Sequence, residues 1–143
     1  MTDAFFLPDG DGWLATSHTR GPWSPVHQHG GPPSALIAHV VEATAPEMFV
    51  ARFTIDFLRP VPIERLRVQI EPLRSGAKVQ RVIGQLLHAD RAVAHAVITL
   101  IRRETVTVQA ASDHDPLPSP ETSRPFQFPF FREPDGYHTA MET

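Results

Sequence analysis

Between residues 49 and 101 the chain carries four apolar, strand-like runs joined by connections of only a few residues, and this constrains the fold more than any other feature. Parallel neighbours need a crossover of a dozen or more residues, so connections this short make the sheet antiparallel. In the first run Phe49, Ala51, Phe53, Ile55 and Phe57 alternate with Val50, Arg52, Thr54, Asp56 and Leu58, the period of two expected of a strand with one face in a core. Arg59-Pro60-Val61-Pro62 ends it. Leu66, Val68 and Ile70 form the second run, with Pro72 marking an edge or a bulge at its far end. The third, from about Lys78 to His88, has apolar residues on both faces and turns at Ala89-Asp90-Arg91 into the fourth, Val93 to Ile101, where small alanines leave room for a helix to approach closely.

That helix is predicted just upstream, from about Pro33 to Ala45. Ala35, Leu36, Ile37, Ala38, Val40, Val41 and Ala43 leave it little polar face, so it is expected to be buried on most sides. A first strand is predicted from Trp13 to about Arg20, closed by Gly21-Pro22 and Ser24-Pro25. The class is α+β, with a five-stranded antiparallel sheet curled around one long apolar helix.

The helix is preceded by Gln28-His29-Gly30-Gly31-Pro32-Pro33. Proline suits the first helical positions, where a missing N–H costs nothing. The glycines then stand at the exposed end, where free N–H groups and the positive end of the helix dipole can hold an anion or the oxygen of a polarised carbonyl. The plainer alternative is a tight turn into a buried helix. Both readings are open on these residues alone.

A chain of 143 residues with 41% hydrophobic residues is about one domain. Residues 1–104 are assigned to it and 105–143 to a proline-rich arm. Pro116, Pro118, Pro120, Pro125, Pro129 and Pro134 lie in that arm, and Phe126, Phe128, Phe130 and Phe131 argue that part of it packs on something. Thirteen Lys and Arg against 16 Asp and Glu, without a block of either sign, favour a small-molecule or protein partner over nucleic acid or a membrane surface. The absence of Cys excludes disulfides and thiolate chemistry. The opening residues have no basic region or apolar run of signal-peptide length, and a soluble cytoplasmic protein is expected. His18, His27, His88, His95, His114 and His138 show no metal-ligand spacing, so no metal is expected.

Three motifs in order, Thr19-Arg20-Gly21-Pro22-Trp23-Ser24-Pro25, then Gln28 to Pro33, then Asp56-Phe57-Leu58-Arg59-Pro60-Val61-Pro62, resemble the N-terminal half of double-hotdog thioesterase-superfamily proteins of the acyl-CoA thioesterase II type. The resemblance implies a hotdog fold and an acyl-CoA ligand, with coenzyme A present only as part of the substrate and no separate cofactor. It also implies that the arm, ending Gly136 to Glu142, corresponds to the linker plus the opening strand of a second repeat. In such enzymes the Asp, Thr and Gln that organise the attacking water lie in that second repeat.

The candidate catalytic residues are therefore His29, Gly30, Gly31 and Asp56, with Gln28, Arg59, Arg74 and Lys78 as candidate substrate-binding residues. Each has a structural alternative: His29 a capping residue, Asp56 a partner of Arg52 or Arg59, the cations ordinary surface. His39 and Glu42 are weaker candidates for activating water. Three functions stay open: an acyl-CoA thioesterase, a non-catalytic acyl-CoA-binding or dimerisation module, and a hydratase, which would need an Asp beside His29. A homodimer or higher homo-oligomer is expected, because apolar residues fall on both faces of the sheet.

Overall fold

The computed structural model describes residues 4–108, 115–124, 126 and 128–141, so residues 1–3, His114, Pro125 and Glu142 lie outside it. The chain runs through β1 (Phe6–Asp9), β2 (Gly12–Ala15), a 3-10 turn at Ser17–Thr19, α1 (Gly31–Ala43), β3 (Met48–Phe57), β4 (Arg65–Arg74), β5 (Val79–His88) and β6 (Arg91–Arg102). All pairings are antiparallel, in the order β1-β2-β4-β5-β6-β3. The sheet has six strands, not five. Where one strand was expected over 13–20, a hairpin turns at Gly10, whose φ of 60° favours glycine, and the chain leaves β2 at Thr16, whose hydroxyl donates to Ala4 O at 2.7 Å. The extra strand contains Pro8, tolerated because β1 is a sheet edge.

The core is the face shared by α1 and the sheet. Ile37 and Val41 are fully buried against a floor that includes Leu86, Ile98, Leu100 and the alanines 94 and 96. Gly84 lies beneath the helix; a methyl group there would come within 2.6 Å of Ile37 Cγ2. The helix begins two residues earlier than expected and is not buried all round, since Ala35, His39 and Ala43 form an exposed stripe at i, i+4 and i+8.

Two irregularities decide which side chains face inward. A bulge between Val50 and Arg52 puts Val50, Phe53 and Ile55 on the core side, while Phe49 is turned out and packs under the Arg103 guanidinium, 5.4 Å from the ring centre. One extra residue reverses the faces of everything before it. The carboxylate of Glu42 accepts the Val50 N–H at 3.0 Å at this bulge. The second irregularity lies between Pro72 and Arg74, past the point where β2 pairs with β4, so the missing proline N–H breaks no ladder bond on that side. The β5–β6 hairpin turns through Ala89 and Asp90, both at positive φ (46° and 60°), the form whose twist matches a two-residue hairpin.

The arm folds back. The Tyr137 N–H donates to Arg20 O at 3.0 Å, and the Arg20 guanidinium donates to Asp135 O at 2.8 Å. Its aromatic side chains thereby arrive at the N-terminus of α1.

Candidate functional site at the N-terminus of the helix

Three segments far apart in sequence meet at the start of α1. Arg20 bridges Gln28, and His27 bridges Pro62, in antiparallel fashion. The His29 N–H donates to Thr19 O at 2.7 Å and the Gln28 N–H to Val61 O at 2.8 Å. The loop 19–29 and the loop after β3 thus hold the His29-Gly30-Gly31 turn from two sides. Gly21 permits the approach, since a methyl group there would stand 3.0 Å from His29 N.

The donors at this helix end can be accounted for one by one. Pro32 and Pro33 have no N–H, and the Ser34 N–H reaches Gly30 O at 3.4 Å. The Gly31 N–H donates to His29 Nδ1 at 3.1 Å. That leaves the Gly30 N–H, which has no acceptor among the described residues. Of the two glycines singled out in the sequence, only Gly30 keeps a bare donor. Nothing local demands a glycine at 30: its φ is −66°, and a methyl group would meet only the Phe57 ring, at 3.4 Å.

The His29 imidazole is close to parallel with two neighbouring rings, Trp23 at 5.7 Å and Tyr137 at 4.4 Å between centres. Burial pushes its pKa below the ordinary histidine value. With Nδ1 accepting from Gly31, the neutral ring carries its proton on Nε2. A folded-state pKa below the unfolded value of about 6.5 means that the unfolded chain takes up the proton first, so His29 withdraws stability as the pH falls through and below that value. An NMR titration should give a midpoint under 6.5; one at or above it would show the ring to be solvated.

Gln28 is 5% exposed; its amide donates to Pro62 O at 2.7 Å, and its Oε1 has no partner among the described residues. With Trp23, His29, Gly30, Phe57 and Arg59 it lines an open cavity of about 530 Å³. The Arg59 guanidinium, at this cavity, donates to Ala92 O at 3.2 Å.

The other candidates lie elsewhere. Asp56 is on the outer face of the sheet, 68% exposed and 3.2 Å from His95 Nε2, while its neighbour Phe57 lines the cavity. Arg74 ends β4 and Lys78 precedes β5, so both sit at the far end of strands roughly 30 Å long. His39 is exposed and meets the Trp13 ring edge-on at 5.7 Å. Tyr137 and Phe131 are site residues that the sequence did not assign. The aromatic density of the arm showed that it packs, but not where.

An antiparallel sheet packed on the one α-helix among the described residues, with a glycine turn at the helix start, is a hotdog fold. The sequence pattern of the acyl-CoA thioesterase N-terminal domain matches residues 19–101, more than half of the chain, and the chain belongs to that family. Solved structures agree. A phenylacetic acid degradation-related protein from Ralstonia eutropha is 27% identical, with a TM-score of 0.55 over 63% of this chain and 72% of its own. A protein with a hot dog fold from Alicyclobacillus acidocaldarius is 17% identical, with a TM-score of 0.63 over 89% of this chain and 48% of its own. A Streptococcus mutans protein bound to acetyl CoA is 16% identical, with a TM-score of 0.51 over 54% of this chain and 67% of its own. The chain thus spans about half the length of the Alicyclobacillus protein. No curated protein sequence matches it. Among the described residues no helix is long and apolar enough to cross a membrane.

Proposed function

We propose that this chain binds acyl-CoA thioesters at the His29-Gly30 turn, with the Gly30 N–H donating to the thioester carbonyl oxygen. The observation that carries this reading is the Gly30 N–H at the positive end of α1, unpaired among the described residues, next to an open cavity and on a residue that neither backbone conformation nor packing requires to be glycine. Such a donor is worth most at an oxygen that gains charge during acyl transfer. Neutral His29, held by two rings and by the Gly31 N–H, supplies a fixed wall beside it. Arg59 at the same cavity suits the anionic end of coenzyme A.

Binding rather than hydrolysis is the function these residues support best, since Asp56 faces away and Glu42 is committed to the Val50 N–H. Titration calorimetry with acetyl-CoA tests the reading directly. Gly30→Val should melt within a few degrees of the parent yet bind at least tenfold more weakly, because the branched side chain covers the donor. Parent-like affinity in a folded Gly30→Val chain would remove the Gly30 N–H from the site.

A second copy of the chain is proposed to cover the outer sheet face and the edge at β3. Phe49, Val79 and Ile101 are each more than a third exposed there, as is Phe57 at the end of the edge strand. Apolar area of this kind gains roughly 25 cal/mol per Å² when covered. Light scattering should give a dimer or higher oligomer at micromolar concentration, and a well-folded monomer would refute it.

A further inference from the structure

We propose that the pocket formed where the arm folds over His29 is the subsite for the acyl group, and that it takes a flat, aryl-bearing acyl group in preference to a saturated chain. The inference rests on the thioester site at His29-Gly30.

His29 is a wall shared by two cavities. One is the open cavity with Gly30 and Arg59; the other, of about 240 Å³, is bounded by Phe128, Phe130, Phe131, Tyr137, His138 and Met141. A thioester at the shared wall sends its two ends in different directions. The cation lies on one side, and the other side is mostly apolar, with the His138 ring stacked on Phe131 at 4.0 Å. The phosphate-bearing end therefore belongs with Arg59 and the acyl end with the arm.

The second cavity is smaller than the roughly 300 Å³ at which pockets for whole drug-sized ligands begin, so it suits one end of a ligand. Its walls are rings already set at the spacings aromatic groups prefer. Phe130 and Phe131 are 5.3 Å apart at 28°, and Phe128 meets both edge-on at 5.7 and 6.2 Å. Tyr137 stacks on His29 at 4.4 Å and is anchored through its backbone to Arg20. Phe130 is 57% exposed and Phe128 37%, so an occupant removes apolar surface from water on both.

Calorimetry on the full chain with acetyl-, hexanoyl-, benzoyl- and palmitoyl-CoA tests this. Hexanoyl and benzoyl groups differ by one carbon but differ in flatness. Benzoyl-CoA should bind at least tenfold more tightly than acetyl-CoA and about fivefold more tightly than hexanoyl-CoA, with palmitoyl-CoA no tighter than hexanoyl-CoA. Phe130→Ala, at an exposed position outside the core, should bring benzoyl-CoA to within threefold of acetyl-CoA, the benzoyl ester losing several times more affinity than the acetyl ester. Phe130→Leu, which keeps apolar bulk without a flat face, should fall between. Acetyl-CoA binding with equal affinities along the series, a palmitoyl optimum, or equal losses for acetyl and benzoyl esters in Phe130→Ala would overturn the acyl subsite alone. No binding of any ester by the parent would overturn the thioester site with it.

Discussion

Turnover of acyl-CoA by this chain is expected to fall short of a complete thioesterase site by about 10² to 10⁴, the usual contribution of a positioned general base. Among the described residues the two cavities that meet at His29 contain no carboxylate in their walls, and the His138 ring that lines one of them is stacked on Phe131 at 4.0 Å. Asp56 is separated from them by the thickness of the sheet and pairs with His95. His29 has its Nδ1 occupied by the Gly31 N–H, and its lowered pKa makes it a poorer proton acceptor at neutral pH. Carbonyl polarisation alone, worth roughly 10² to 10³, can leave a residual rate. Steady-state assays should show that residual rate unchanged in Asp56→Asn and reduced in Gly30→Val. Robust turnover abolished by Asp56→Asn or by changing Glu42 or His39 would mean that a water-activating group operates in this chain.

Gly84→Val should destabilise the fold by about 3 kcal/mol or more, at the upper end of the range for overpacked cores. A Cβ at this position already lies 2.6 Å from Ile37 Cγ2 and 3.4 Å from Ile98 Cδ1, and both neighbours are fully buried with nowhere to move. For a chain of this size that corresponds to a fall in Tm of roughly 10 °C. Ile37→Leu, which removes the Cγ2 branch, should recover part of the loss in the double variant. A Gly84→Val chain melting within about 2 °C of the parent would show that the helix and sheet are not in such close contact.

The antiparallel sheet and its single helix were legible in the sequence because period-two alternation and short connections leave few other solutions. The alanines of β6 likewise announced a close helix approach, and Ala94 and Ala96 are fully buried beneath it. The short edge strand β1 was not legible, since four residues including Pro8 carry too little periodicity. Nor was the outward turn of Phe49, because a bulge depends on the partner strand and not on local composition.

At the candidate site the same division holds. His29-Gly30-Gly31-Pro32-Pro33 identified a helix start with exposed backbone, a property of the local chain alone. Which glycine keeps a free N–H was decided by a side chain two residues from Gly31, through the His29 ring. That ring is in turn held in place by Trp23 and by Tyr137, more than a hundred residues away. Placing Asp56 and Phe57 on opposite faces follows from strand geometry, but which face meets the helix is set by packing on β6. Local sequence fixes periodicity, turns and missing donors because those act over a few bonds. The roof that the arm places over the turn, and the cavity beneath it, exist only because folding brings distant residues within van der Waals contact.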